Sequence, residues 1–261
     1  LRIDTDGSVW LNTLSPARYI NRDRYGVSRI PDYADSKADP VWEQVGSNGA
    51  FAWHDHRIHW MSYDLPPTVI GDRAQSVFPW SLTVTIDDTE TEVGGELLWF
   101  PSTNAFGPLL VGMVALLPLT RFHRRRVTVP VVMATLFGAI ALFVAIAQFG
   151  ATPGFDRTLS VDPVFPAMAI GFAMGALWLR ERPLRAWAAS LLAGISLLWW
   201  AIKIGETLTA PVLASALPVS IERLAVGLAL WAGAAIVAVS ILELISVVRS
   251  GIAPIEQTST I

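Results

Sequence analysis

Five apolar stretches fill most of the second half of this chain, and no other feature limits its fold so strictly. They run over residues 105–121, 127–149, 164–180, 184–204 and 222–248. A bilayer core about 30 Å thick asks for about 17–25 apolar residues per helix, and each stretch meets that length. One of them alone would suit a buried soluble helix, but five in succession read as transmembrane helices. The first is the weakest, being short and interrupted by Pro108 and Pro118. The expected architecture is therefore a membrane protein with an extracytoplasmic all-β domain over 1–103. A five-helix transmembrane bundle follows over 104–249, with a cytoplasmic tail over 250–261.

Charge is divided in the same way. Residues 1–103 hold 8 Lys+Arg and 15 Asp+Glu, a net of −7, whereas residues 104–261 hold 11 and 7, a net of +4. Such asymmetry is what two solvents impose on one chain. Eight of those 11 basic residues lie in the run Arg121–Arg126, in the run Arg180–Arg185 and at Arg249. The intervening loops 150–163 and 205–221 share only Arg157. The positive-inside rule then places residues 1–103 outside a plasma (inner) membrane and the C-terminus in the cytoplasm. Trp178 and Trp187 fit one interface and Trp199 and Trp200 the other. An exported first segment implies a signal peptide removed ahead of Leu1.

The spans carry few ionisable groups, unlike most transporters and pumps. Glu243 is the exception, about two turns from the inner end, with Ser240 and Ser246 on roughly the same face. It reads either as part of a proton or ion relay or as an interfacial carboxylate paired with arginine. Ala167, Gly171 and Gly175 form a small-xxx-small row, which predicts close helix packing along that face, within the chain or against another subunit.

In the first segment, Trp80–Ile86 alternates apolar Leu82, Val84 and Ile86 with Ser81, Thr83 and Thr85, the period of a strand. Asp87-Asp88 supplies a turn, and Thr89–Val93 with Glu96–Phe100 reads as the returning strand, bent or bulged at Gly94-Gly95. Val9–Leu11 and Val41–Val45 predict further short strands, and residues 21–39 a long surface loop. A small sandwich of the immunoglobulin or cupredoxin kind fits this pattern.

Chemistry concentrates in one place. The chain has four histidines, and three of them fall within Trp53-His54-Asp55-His56-Arg57-Ile58-His59-Trp60-Met61. On a strand His54 and His56 would share a face and bind one metal together, with His59 or Met61 swinging round as a further ligand; on a helix His56 and His59 would align instead, at i and i+3. Imidazole suits copper, zinc, nickel and iron, and a thioether shifts the preference toward Cu(I). That makes copper the first choice of cofactor and zinc the second. Asp55 and Arg57 fall beside the ligands, where Asp55 would orient a histidine and Arg57 would add opposing charge. The alternative is a structural cluster with no metal, its rings stacked between two tryptophans. With no cysteine in the chain, thiolate sites and disulfides are excluded.

The segment Ser15–Gly26, the Trp53–Met61 run, and Trp80 followed by Gly95-Glu-Leu-Leu-Trp99 together resemble a group of actinobacterial membrane proteins. These carry an exported β-rich domain followed by C-terminal spans. The resemblance covers most of the chain and implies that topology; it brings no established activity. Cupredoxin-like copper-handling domains are similar only in class, and their ligand pattern is not matched.

Three functions follow as expectations. The first is a membrane-anchored extracytoplasmic metal-binding, copper-handling protein. The second is an accessory subunit of a larger membrane complex, and the third a metal-dependent enzyme at the outer face. Hydrolase, metalloprotease and phosphate-loop motifs do not occur. An acidic exported domain argues against nucleic acid as a partner.

Overall fold

A computed structural model of the protein describes residues 1–22, 25–86, 89–116, 127–152 and 163–251. The chain divides into two compact units, with the break between Pro101 and Ser102.

The polar unit contains β1 (Arg2–Ile3), β2 (Val9–Asn12), a one-turn helix α1 (Ala17–Ile20), β3 (Trp42–Gly46), β4 (Gln75–Ile86) and β5 (Thr89–Trp99). Strands β1, β2 and β3 form one antiparallel sheet, and β4 with β5 forms a separate antiparallel hairpin. The connection from β1 to β2 turns on Gly7, whose φ of 85° suits a residue without Cβ. Asp6 Oδ1 accepts the Ser8 N–H across that turn at 2.8 Å. The short strands expected near Val9 and Val41 are β2 and β3.

In β4, Trp80, Leu82 and Val84 are half-buried while Ser81, Thr83 and Thr85 are exposed, as the alternation requires. The register sets Trp80 opposite Gly95. A Cβ on Gly95 would stand 2.5 Å from the Trp80 indole, so this glycine makes room for a cross-strand ring. The irregularity of the hairpin lies between Ser76 and Phe78, not at Gly94-Gly95. The Asp87-Asp88 turn lies outside the described residues.

These sheets do not form the expected immunoglobulin- or cupredoxin-like sandwich. A sandwich closes over two rows of inward side chains. Here the buried hydrophobic side chains among the described residues of the unit are Val9 and Tyr19. Ile86, Val93 and Leu98 of the hairpin are exposed. Alternation in sequence reported a strand face correctly but could not report whether a second sheet covers it.

The apolar unit contains α2 (Phe106–Leu116), α3 (Thr128–Ala151), α4 (Val164–Trp178), α5 (Pro183–Lys203), a 3-10 turn (Gly205–Leu208) and α6 (Val219–Gly251). Prolines sit where a helix tolerates them. Pro183 opens α5, and Pro130 and Pro166 fall in the first turns of α3 and α4, where the missing N–H is no loss. Three helices, α3, α5 and α6, are long and apolar enough to cross a membrane. The 15 residues of α4 and the 11 described for α2 fall short of the roughly 20 that a span needs. Five full spans are therefore not what the described residues establish. Residues 117–121 of the first apolar stretch, and the basic residues Arg121–Arg126 and Arg157, lie outside them.

The core of this unit is built on alanine: Ala134, Ala141, Ala145, Ala169, Ala173, Ala176, Ala193, Ala201, Ala225, Ala229 and Ala232 are all buried. Small side chains let helix backbones approach, which drives association where lipid supplies no hydrophobic gain. Glycines bring two crossings, α2 with α6 and α5 with α6, closer still. A Cβ on Gly227 would stand 2.5 Å from the Pro108 carbonyl oxygen, one on Gly112 2.6 Å from the Gly227 oxygen, and one on Gly233 2.7 Å from the Leu198 nitrogen. The row Ala167, Gly171 and Gly175 faces elsewhere. Ala167 and Gly171 are exposed, and a Cβ on either glycine meets nothing within 4 Å. It is the neighbouring row Pro166, Ala169, Ala173 and Ala176 that packs inside the chain. Of the tryptophans expected at the interfaces, Trp178 and Trp199 are exposed and Trp187 and Trp200 are buried.

Candidate metal centre

The segment from Phe51 to Met61 is neither strand nor helix. Asp55 dictates its course. The Asp55 Oδ1 accepts the Arg57 backbone N–H at 3.1 Å, and the Asp55 carbonyl accepts the Ile58 N–H at 3.1 Å. This is an aspartate-initiated turn, a local structure that short acidic side chains favour over a strand. The expectation that His54 and His56 share a strand face is thereby replaced by a folded loop.

The same carboxylate is fully engaged. Arg57 grips it through Nε (2.8 Å) and Nη2 (2.7 Å), and the Trp53 indole N–H donates to it at 3.1 Å. Asp55 is 4% exposed. The Arg57 guanidinium holds its carboxyl well below the usual carboxylate range, against the opposing effect of burial. Asp55 therefore orients Arg57 and Trp53, and its bond to Arg57 neutralises the cation that the sequence placed among the imidazoles.

Because the folded-state pKa of Asp55 lies below its unfolded value, the stability it contributes is full above the unfolded pKa and lost as pH falls through the folded one. Asp55→Asn is expected to cost about 2 kcal/mol at pH 7, since it removes a charge-assisted pair from a buried turn. The difference from the parent should be constant at neutral pH and shrink below about pH 4. Thermal unfolding of the two proteins across pH measures it.

The imidazoles gather around His59. The His56 ring lies 5.2 Å from it, centroid to centroid, and the His54 ring 6.2 Å, both edge-on. His59 Nδ1 is 3.1 Å from the Trp60 carbonyl oxygen. A carbonyl only accepts, so Nδ1 carries a proton, and in the neutral ring Nε2 is the nitrogen with the lone pair. Nε2 is buried and has no hydrogen-bond partner among the described residues.

A second segment closes on this loop. Gly26 has a φ of 66°, and a Cβ there would stand 2.8 Å from His56 Cε1, 3.1 Å from His56 Nδ1 and 3.0 Å from the Met61 methyl. The His56 ring and the Met61 thioether thus flank one glycine, and Tyr25 stacks on Tyr63 at 4.0 Å beside them. Trp60 is tied down by its indole N–H, which donates to the Asp64 carbonyl at 2.7 Å. Among the described residues, no group of three His, Asp or Glu side chains is placed to hold a metal ion. What the fold does bring together is two imidazoles, His56 and His59, with the Met61 methyl and the His56 ring both against Gly26.

The polar groups of the apolar unit fall differently from expectation. Glu243 is half-buried and makes no ion pair among the described residues, while Ser240 turns inward to donate to Ser190 at 2.9 Å. The carboxylate that matters structurally is Glu222, in the first turn of α6. It is 0% exposed, and accepts hydrogen bonds from Gln148 Nε2 at 2.9 Å and from the Ser215 hydroxyl. An acidic residue in the first turn of a long helix, where the helix dipole favours negative charge, was the available signal. Next to it, Arg223 donates to the carbonyls of Thr207 (3.3 Å) and Ala210 (2.7 Å), fastening the 3-10 turn to α6. Comparison with known protein families, curated proteins and solved structures finds no match to this chain.

Proposed function

We propose that this is a membrane-anchored protein whose polar unit handles copper outside the cell, binding Cu(I) through His56, His59 and Met61. The observation that carries the reading is His59 Nε2, a buried ring nitrogen with no hydrogen-bond partner among the described residues and with its ring fixed by the Trp60 carbonyl. An Nδ1–H bonded to backbone is the arrangement that orients a ligating histidine. Two imidazoles bound tetrahedrally to one ion place their ring centroids about 5 Å apart, given metal–nitrogen distances near 2 Å. The His56–His59 separation of 5.2 Å meets that span. A thioether as third donor favours Cu(I) over zinc, which is the second choice. His54 stands at 6.2 Å as an alternative imidazole for receiving or releasing the ion.

In this reading all five apolar stretches cross the bilayer. The arginine-rich loops face the cytoplasm and the polar unit faces outward, as in the actinobacterial membrane proteins that the sequence resembles. Competition for Cu(I) between the purified full chain and a chromophoric chelator is the test. Affinity tighter than about 1 μM, with one ion per chain, is expected; weaker binding, or several ions without saturation, sinks the reading.

A second reading rests on the outward row Ala167, Gly171 and Gly175, which is open where the inner row of α4 is packed. It suits a helix of another subunit, and the protein would then serve as an accessory component of a membrane complex. Gly171→Leu should leave the isolated chain folded and abolish co-purification of any such subunit; unchanged co-purification removes this reading.

A further inference from the structure

The polar unit holds a half-enclosed cavity of about 460 Å³, within the usual size range of small-molecule sites. None of His54, His56, His59 and Met61 lines it. Its charged wall is Arg18 from α1, Arg22 from the turn that follows, and Arg57 with Asp55. Its flat wall is Phe51 and Trp53, stacked at 6.0 Å and 25°. Arg57 is paired with Asp55 and Arg18 with Glu43, so the positive charge this wall offers a ligand comes chiefly from Arg22 and from the fork of Arg18 that Glu43 leaves open.

Two groups at this cavity hold donors that the described residues leave unused. Arg18 Nη2 is paired with Glu43 at 2.7 Å, but Arg18 Nη1 is buried with no acceptor among the described residues. An N–H enclosed in that way is unfavourable until an acceptor reaches it. Asn12 spends its oxygen on the Leu14 and Val41 N–H groups, each at 3.0 Å, which leaves its NH2. The Asp55 oxygens are filled by Trp53 and Arg57, so the carboxylate on this wall does not compete for those donors. A surplus of donors beside stacked rings selects a ligand with an acceptor-rich anionic end and a flat apolar body. The acidity of the surrounding unit disfavours polyanions, so the charge is confined to one small group.

The geometry points to a binding site for a small oxyanion, a carboxylate or phosphate borne on a flat apolar ring, seated between Arg18, Arg22 and the Phe51–Trp53 pair. The site is independent of copper. Calorimetric titration of the full chain in neutral detergent, in buffer free of phosphate and carboxylate, tests it with benzoate and phenyl phosphate as probes. Benzyl alcohol serves as the uncharged control. Saturable one-to-one binding of at least one probe with a Kd below about 1 mM is expected, the better probe identifying the carboxylate or phosphate class. Arg18→Lys keeps the charge and the pairing with Glu43 but loses the fork; Arg22→Gln removes an exposed cation resting on the Tyr19 ring. Each should weaken binding about tenfold or more. His56→Ala/His59→Ala should leave it unchanged, so that failure of the copper reading and failure of this one are separable. No saturable binding of either probe at about 10 mM, equal binding of benzyl alcohol, or unchanged affinity in both arginine variants overturns it.

Discussion

Replacing Gly227 with alanine is expected to destabilise the apolar unit by about 2–3 kcal/mol, whereas the same replacement at Gly171 is expected to stabilise it by up to about 1 kcal/mol. The opposite signs follow from what each new methyl meets. At Gly227 it would stand 2.5 Å from the Pro108 carbonyl oxygen and 2.9 Å from the carbonyl carbon. Those are backbone atoms of α2, which cannot rotate away as a side chain can, so the α2–α6 crossing must open. Gly112 approaches Gly227 from the other helix just as closely, and there is no slack on either side. At Gly171 the methyl meets nothing within 4 Å. The gain in helix propensity of alanine over glycine is then uncompensated by any clash. Thermal unfolding of both variants and the parent in one detergent reads the two shifts directly.

The second large effect concerns copper. His56→Ala/His59→Ala should weaken Cu(I) binding by at least about a hundredfold, because loss of an outer partner of a ligand already costs 10–100-fold and here the ligands themselves are removed. Met61→Leu, which keeps volume and loses the sulfur donor, should weaken binding less and shift selectivity from Cu(I) toward zinc. His54→Ala should leave affinity within a fewfold and alter the rate of exchange. Equal losses in all three would mean that the histidines act through the fold of the loop. Asp55→Asn discriminates that case, because it destabilises the loop without touching a donor.

Long apolar runs were the legible part of this chain. The bounds of α3, α5 and α6 follow from length and hydropathy, because a helix in lipid must be apolar over its whole span and prolines mark its start. The inward face of such a helix was not legible. When every side is apolar, periodicity no longer distinguishes core from lipid. The outward row Ala167, Gly171 and Gly175 therefore looked as well suited to packing as the inner row Pro166, Ala169, Ala173 and Ala176. The crossing at Gly112 and Gly227 was hidden for a related reason, since it joins residues far apart in sequence.

The polar unit shows the same division between local and distant information. Alternation located β4, and short apolar runs located β2 and β3. Whether sheets stack is decided by non-local packing, and the described residues do not support the expected sandwich. At the candidate site, the grouping of His54, His56 and His59 was visible in the sequence and the fold keeps their rings near one another. The strand geometry assumed for them failed because Asp55 closes a turn on the Arg57 N–H. Arg57 read as a charge opposing a metal, yet Asp55 engages it. Gly26, which carries a separate segment onto His56 and Met61, had no sequence signal beyond being a glycine.

The central claim is that His56, His59 and Met61 converge on one copper ion, and X-ray absorption at the copper edge of the Cu(I)-loaded full chain measures that most directly. The account predicts two imidazole nitrogens near 2.0 Å and one sulfur near 2.3 Å, with the sulfur contribution lost in Met61→Leu. A copper environment of oxygen donors, or one unchanged in His56→Ala/His59→Ala, would contradict it.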